Sequence, residues 1–257
     1  MKNWSVENNV FDDEKLDKLM HYLINDIIDE FEKLIPTGPQ LGYKKIKIVN
    51  DPLYGPTFYW PLKPDHYRIG LNVSGLYYNQ IAFQFSQEFS KLYCDPRISN
   101  WLIEIMAHIS ALYILGFLSK KWEKEFPDEN LNEYFHKFRE YKNNLVGSAF
   151  SKVDIVKYQV SSNWIENQVE KLRKRDKLNR GKILIIAFEL LPLFKEDKEL
   201  WKLLPYIGKY NSPPPSGDAN NLDTNRNAVP DFENLVKNVP DKLQEGLTKL
   251  LNKFGIN

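Results

Sequence analysis

The sequence predicts an α+β fold that is mostly helical, with a small sheet packed on the helices. Three observations carry this. Apolar residues recur at helical spacing over residues 12–34, and long helical stretches follow over 77–93 and 99–122. Between the first and second of these lie short runs bounded by proline and glycine turns, at least one alternating apolar with charged residues. Hydrophobic residues make up 42% of the 257 and aromatic ones 14%, ample for a sizeable core.

Charge and composition narrow the partners. With 35 basic against 34 acidic residues, no global field draws nucleic acid or an anionic membrane. The single cysteine, Cys94, excludes an intramolecular disulfide framework and fits a reducing compartment. Met1-Lys2-Asn3-Trp4 runs into acidic residues without the apolar core of a signal peptide, so a cytoplasmic location is expected. The longest apolar run, 101–118, contains Glu104, His108 and Ser110. A bilayer would penalise that glutamate heavily, so the run reads as a buried central helix and no membrane partner is expected.

Along the chain, Leu16, Leu19, Leu23, Ile27, Phe31 and Leu34 mark one face of the first helix, which Pro36-Thr37-Gly38-Pro39 ends. Lys45-Ile46-Lys47-Ile48 has the period of a half-buried strand, Thr57 to Trp60 is a second short strand, and 66–73 a third. A Ser74-Gly75 break leads to the helix over 77–93, and Asp95-Pro96-Arg97 separates it from the helix over 99–122. Further helices are expected over 130–145, 164–178, 182–193 (ending near Pro192) and 196–204, while 147–160 reads as a loop with a short helix. Residues 213–229, rich in Pro, Asn and Asp, read as a linker or loop. Helical segments broken at Pro240 then close the chain, with Leu243, Leu247, Leu250, Leu251 and Phe254 on one stripe. The expected organisation is a main domain over 1–208, a connector over 209–229 and a helical segment over 230–257.

A strand, a helix carrying Gln87-Glu88-Phe89-Ser90-Lys91, and a second helix carrying Glu104 resemble the core of zinc metallopeptidases of the gluzincin type. In that family the first helix bears His-Glu-x-x-His and the next helix supplies a glutamate as third metal ligand. The resemblance spans about a fifth of the chain, 67–118, and implies a metallopeptidase-like domain over 1–208 with its core over 43–122. It implies a vestigial base at Glu88 and former metal-site positions at Gln87, Lys91 and Glu104. Both histidines are replaced, so no metal, no cofactor and no hydrolysis are expected. The implied role is a binding or regulatory module, with a groove between the strand over 67–73 and the helix over 80–91. That strand, taken as an edge, would accept an extended peptide by backbone pairing.

The residues support this independently. Glu104 lies amid Trp101, Leu102, Ile103, Ile105 and Met106, and a buried carboxylate needs a proton, a hydrogen bond or a partner charge. Lys91 is expected to supply that charge to Glu104, to Glu88 or to both, with Gln87 completing the hydrogen bonding. Gln80, Gln84, His108 and Arg68 are the further groove candidates, and His108 reads as a satisfied interior histidine. An ordinary amphipathic helix with its polar side in water is the plain reading of Gln80, Gln84, Gln87, Glu88 and Lys91. Two competing functions remain: a metal-dependent hydrolase with a non-standard site using Glu88 and Glu104, and a nucleic-acid contact through the basic helix over 171–182. Glu166 and Glu170 flank that basic run, which favours a solvated helix face. Cys94 reads as a buried thiol, and the C-terminal leucine stripe either docks on its own body or on a partner.

Overall fold

The computed structural model describes residues 3–73, 75, 77–152, 163–174, 179–213 and 228–256. Among these, β1 (Val6–Asn9), β2 (Lys45–Asn50), β3 (Thr57–Phe58) and β4 (His66–Leu71) form a mixed sheet in the order β1-β2-β4-β3. β1, β2 and β4 run parallel, with Ile46 opposite Tyr67 and Ile48 opposite Ile69. β3 lies antiparallel on the outside of β4. The expected mostly helical α+β class is found.

The alternation in β2 sets the two faces of the sheet. Ile46, Ile48, Tyr67, Ile69 and Leu71 are buried, whereas Lys45 and Arg68 are exposed. Against the apolar face lies α1 (Glu14–Leu34), capped by the Asp13 carboxylate accepting from the Leu16 N–H at 3.0 Å. Together with α2 (Tyr78–Cys94) it builds an aromatic cluster in which Trp4, Phe31 and Phe85 ring Phe89 at centroid distances of 5.2 Å. β1 carries no sequence signal of its own. Val6-Glu7-Asn8-Asn9 is poor strand material, held by pairing along β2.

At the centre is α3 (Trp101–Lys124), with Asn100 accepting from the Leu102 and Ile103 N–H groups at its start. It is long and apolar enough to cross a membrane, but 83% of its apolar window is buried inside the fold. Packed on it are α4 (Phe135–Phe150) and α6 (Arg180–Glu196), and before the latter comes α5 (Trp164–Lys174). α4 begins later than expected because a 3-10 turn, Glu129–Leu131, precedes it. α6 runs through Pro192 instead of ending there. Proline removes one helical hydrogen bond, but Leu190, Leu191 and Phe194 on both sides of it are buried, and their packing keeps the helix going.

The chain continues through a 3-10 segment (Lys198–Leu203) into α7 (Leu204–Lys209). Gly208 there lies so close to the Cys94 carbonyl that a Cβ would overlap it, which explains the glycine. Most of the expected connector, 214–227, lies outside the described residues, but its ends are joined by the antiparallel pair β5 (Asn211–Ser212) and β6 (Val229–Pro230). α8 (Phe232–Asn238) and α9 (Asp241–Lys253) bury the leucine stripe against the chain's own body, with Phe254 edge-on to Trp101 at 5.6 Å. The loop expected over 147–160 falls partly on α4 and otherwise outside the described residues from 153 onward.

Where α3, α4 and α6 meet, the half-buried Lys142 lies in hydrogen-bonding reach of Lys195, with Lys120 close by. Burial first, and then these like charges, lower the Lys142 pKa to about 8. The folded state therefore binds fewer protons than the unfolded chain from there to about pH 10, and this group's contribution to stability rises with pH across that window. Lys142→Met is expected to raise the urea midpoint at pH 7, with the gain over wild type shrinking towards pH 10.

Candidate functional site

The chemistry gathers where α2 and α3 face each other. Lys91 Nζ lies 3.0 Å from Glu88 Oε1 and 2.9 Å from Glu104 Oε1. The three side chains are 15%, 5% and 17% exposed, so the ammonium is held between two carboxylates largely out of water. Glu88 and Lys91 are three residues apart, on one face of α2. Glu104 comes from the first turn of α3. The Asp95-Pro96-Arg97 turn sets this approach: Arg97 grips the buried Asp95 carboxylate with Nε at 2.9 Å and a terminal nitrogen at 2.7 Å.

The three groups respond differently to this setting. Burial opposes the charge on Lys91, but Glu104 and Glu88 outweigh it and hold its pKa above the ordinary value. In Glu88 burial wins over the attraction of Lys91, and the like charge of Glu104 adds to it, so its pKa is raised. In Glu104 burial is outweighed by the charge and the hydrogen bond of Lys91, and its pKa is lowered. The cluster is thus an ammonium–carboxylate pair, Lys91 with Glu104, beside a weaker acid, Glu88, which takes up a proton first on acidification.

The polar side of α2 is largely buried, contrary to the plain amphipathic reading. Gln84, Gln87 and Glu88 are all buried, because α3 and the sheet cover that side. Gln84 Oε1 accepts from the Asn72 N–H at 2.8 Å, and the amide nitrogens of Gln84 and Gln80 both donate to the Asn72 carbonyl at 2.9 Å. They pin the chain as it leaves β4. Gln87 makes no side-chain hydrogen bond among the described residues, so the completing role expected of it is not seen; its side chain lines a cavity instead.

That cavity measures about 800 Å³. α2 and α3 contribute Phe83, Gln84, Gln87, Glu88, Lys91, Glu104 and His108 to its lining. Tyr54, Pro56 and Thr57 border it from the β3 side, and Tyr141, Ser148, Lys152 and Arg180 from the α4 and α6 side. His108 Nδ1 is 2.8 Å from the Glu104 carbonyl, which can only accept, so Nδ1 carries the proton. Burial lowers its pKa and keeps it neutral, as a satisfied interior histidine. Cys94 is buried too, and burial pushes its thiol well up, which removes it as a nucleophile.

Two groove residues are placed elsewhere. Arg68 is on the opposite, solvent face of the sheet, its guanidinium 4.3 Å from the Tyr59 ring centroid, and does not line the cavity. Strand alternation puts it there: Tyr67 and Ile69 point inward, so Arg68 points out. Gln80 is spent on Asn72. β4 is not an edge, since β2 pairs along it and β3 covers its other side. The edges of the sheet are β1 and β3, and β3 is the one that borders the cavity. Tyr59 N–H bonds Arg68 O at 3.0 Å, so by antiparallel alternation the N–H and C=O of Phe58 point away from the sheet.

No protein-family model, curated protein or solved structure matches this chain. The donors themselves decide whether zinc fits. Zinc takes neutral imidazole, thiolate or carboxylate; here an ammonium occupies the space between the only two carboxylates of the cluster, and the fourth group is an amide. Among the described residues no group of three or more His, Cys, Asp or Glu could hold a metal. The cluster does not fit the ion, and an ammonium held this firmly is neither a base nor a nucleophile. On α5 the basic residues Lys171, Arg173 and Lys174 are exposed, Lys174 pairs with Glu170, and 175–178 lie outside the described residues.

Lys152 and Arg180 were missed as cavity residues. Asn179, whose side chain accepts from Lys182 N–H at 3.1 Å, was a legible helix start, but nothing in the local pattern says that this start meets a cavity.

Removing the ammonium strands two carboxylates together. Lys91→Met is expected to cost on the order of 3–5 kcal/mol in urea unfolding at pH 7, with acidification restoring part of it. Because the folded pKa of Glu88 lies above its unfolded value, its contribution is present at low pH and lost as pH rises. Glu88→Gln is therefore expected to stabilise at pH 7, the gain vanishing below about pH 4.

Proposed function

We propose that this chain is a catalytically silent protein with a metallopeptidase-like core, acting as a binding module that holds an extended peptide. One observation carries the reading: the Lys91 amine lies within 3.0 Å of both Glu88 and Glu104, at the positions where the resemblance places a metal and its ligands. A parallel strand, a helix with the Gln-Glu-x-x-Lys pattern, a tight turn and a helix with a facing glutamate follow in the order the resemblance requires.

Hydrolysis by this family needs a metal-bound water that the helix glutamate deprotonates. Here the Lys91 amine lies between the carboxylates that such an ion would need, and Glu88, with its raised pKa, accepts a hydrogen bond from it. What remains is a cavity beside an open sheet edge. The outward N–H and C=O of Phe58 offer one pair of backbone hydrogen bonds, and the cavity next to Thr57 accommodates side chains of a strand laid along β3.

Two experiments test this. Purified wild type is expected to bind no zinc, while Gln87→His with Lys91→His, which restores His-Glu-x-x-His beside Glu104, is expected to bind one equivalent. Stoichiometric zinc in wild type with Glu88-dependent peptide cleavage would overturn the silent reading. Peptide holding is read by NMR: a mixed set of unstructured decapeptides is expected to shift the amides of Thr57–Phe58 and the side-chain amides of Gln84 and Gln87. Ser148→Trp, an exposed cavity residue filled with a bulky ring, is expected to abolish those shifts.

A further inference from the structure

The cavity carries an uneven charge. Five charged side chains line it: Glu88, Lys91, Glu104, Lys152 and Arg180. Lys91 is committed to the two glutamates at 2.9 and 3.0 Å, so that part of the wall carries at most one net negative charge, against the two positive charges of Lys152 and Arg180. Among the described residues, neither Arg180 nor Lys152 has a carboxylate within 4.0 Å. His108 adds no charge. The field of Arg180 nevertheless reaches inward, since it lowers the pKa of both Glu88 and Glu104 and that of His108.

Placement reinforces this. Arg180 is the first residue of the 17-residue α6, so the unpaired N–H groups of that helix start add positive potential beside the guanidinium. Lys152 follows the end of α4, and both residues line the same cavity as Tyr54, Pro56 and Thr57. A peptide strand along β3 would bring a side chain or its terminus into a cavity whose two cations, among the described residues, have no carboxylate in salt-bridge contact. Arginine in particular offers paired donors matched to a carboxylate.

We infer that the cavity selects an acidic peptide, one carboxylate of which is received by Arg180 and Lys152 while its backbone pairs with β3. This deepens the peptide-holding reading and rests on it. The carboxylate comes either from an Asp or Glu side chain or from the peptide's C-terminus, and the chemistry is the same.

The test uses four fluorescent decapeptides of one sequence, carrying Glu or Gln at a central position, each with a free or an amidated C-terminus. Anisotropy titrations are run at low and high salt with wild type, Arg180→Gln/Lys152→Gln and Ser148→Trp, their folding checked by circular dichroism. The best carboxylate-bearing peptide is expected to bind wild type about tenfold more tightly than the neutral peptide, with the advantage reduced by salt. In the double variant the ratio is expected to fall to near one. Which arm carries the advantage, Glu or free terminus, identifies the carboxylate. Equal affinity for all four peptides, abolished by Ser148→Trp, would overturn acidic selection and leave peptide holding intact. Absence of binding by every peptide would remove both.

Discussion

The structure turns on one buried amine. Lys91 occupies the only place where α2 and α3 bring two carboxylates together, and it satisfies both at hydrogen-bonding distance. Without it, two helices whose apolar residues are buried would confine two like charges in a largely dry space. With it, the central helix pair keeps a polar strip in its core and stays closed. On the reading proposed above, the same amine opposes a metal by charge, and its raised pKa keeps it protonated instead of free to act as a base.

The cavity follows from that strip. An apolar seam between α2 and α3 would close by packing, as the aromatic cluster around Phe89 does on the other side of α2. Polar groups cannot collapse onto one another in that way. Gln84 is committed to Asn72, Lys91 to the glutamates and His108 to a carbonyl, so the space in front of them stays open towards β3, α4 and α6. β3 itself is only two residues long and lies between Pro56 and Pro61, neither of which has an N–H to offer. Such an edge is protected against indiscriminate pairing yet leaves Phe58 available to a single guest strand.

Local pattern was enough where one face of an element is wet. α1 was legible to within two residues because its apolar stripe alternates with Asp, Glu and Lys, and β2 because lysines alternate with isoleucines. The pairing of Lys91 with both glutamates was legible because an isolated carboxylate in so apolar a helix demands a cation. Elements buried all round, or held only by partners, were not readable in the same way. α2 looked amphipathic, but its glutamines and Glu88 are covered by α3 and the sheet. β1 exists only because β2 offers it an edge, and α6 continues past Pro192 because its neighbours bury both sides of the break.

The sequence by itself determined the helical α+β class, the strand–helix–turn–helix order and the identity of the amine and its two acids, since these depend on spacing and on the cost of burying charge. Tertiary structure alone decided that β4 is interior and β3 an edge beside the cavity, that Arg68 faces water, and that Lys152 and Arg180 reach the same cavity as Lys91. Those outcomes depend on which residues distant in the chain come to share a surface, and no local periodicity encodes that.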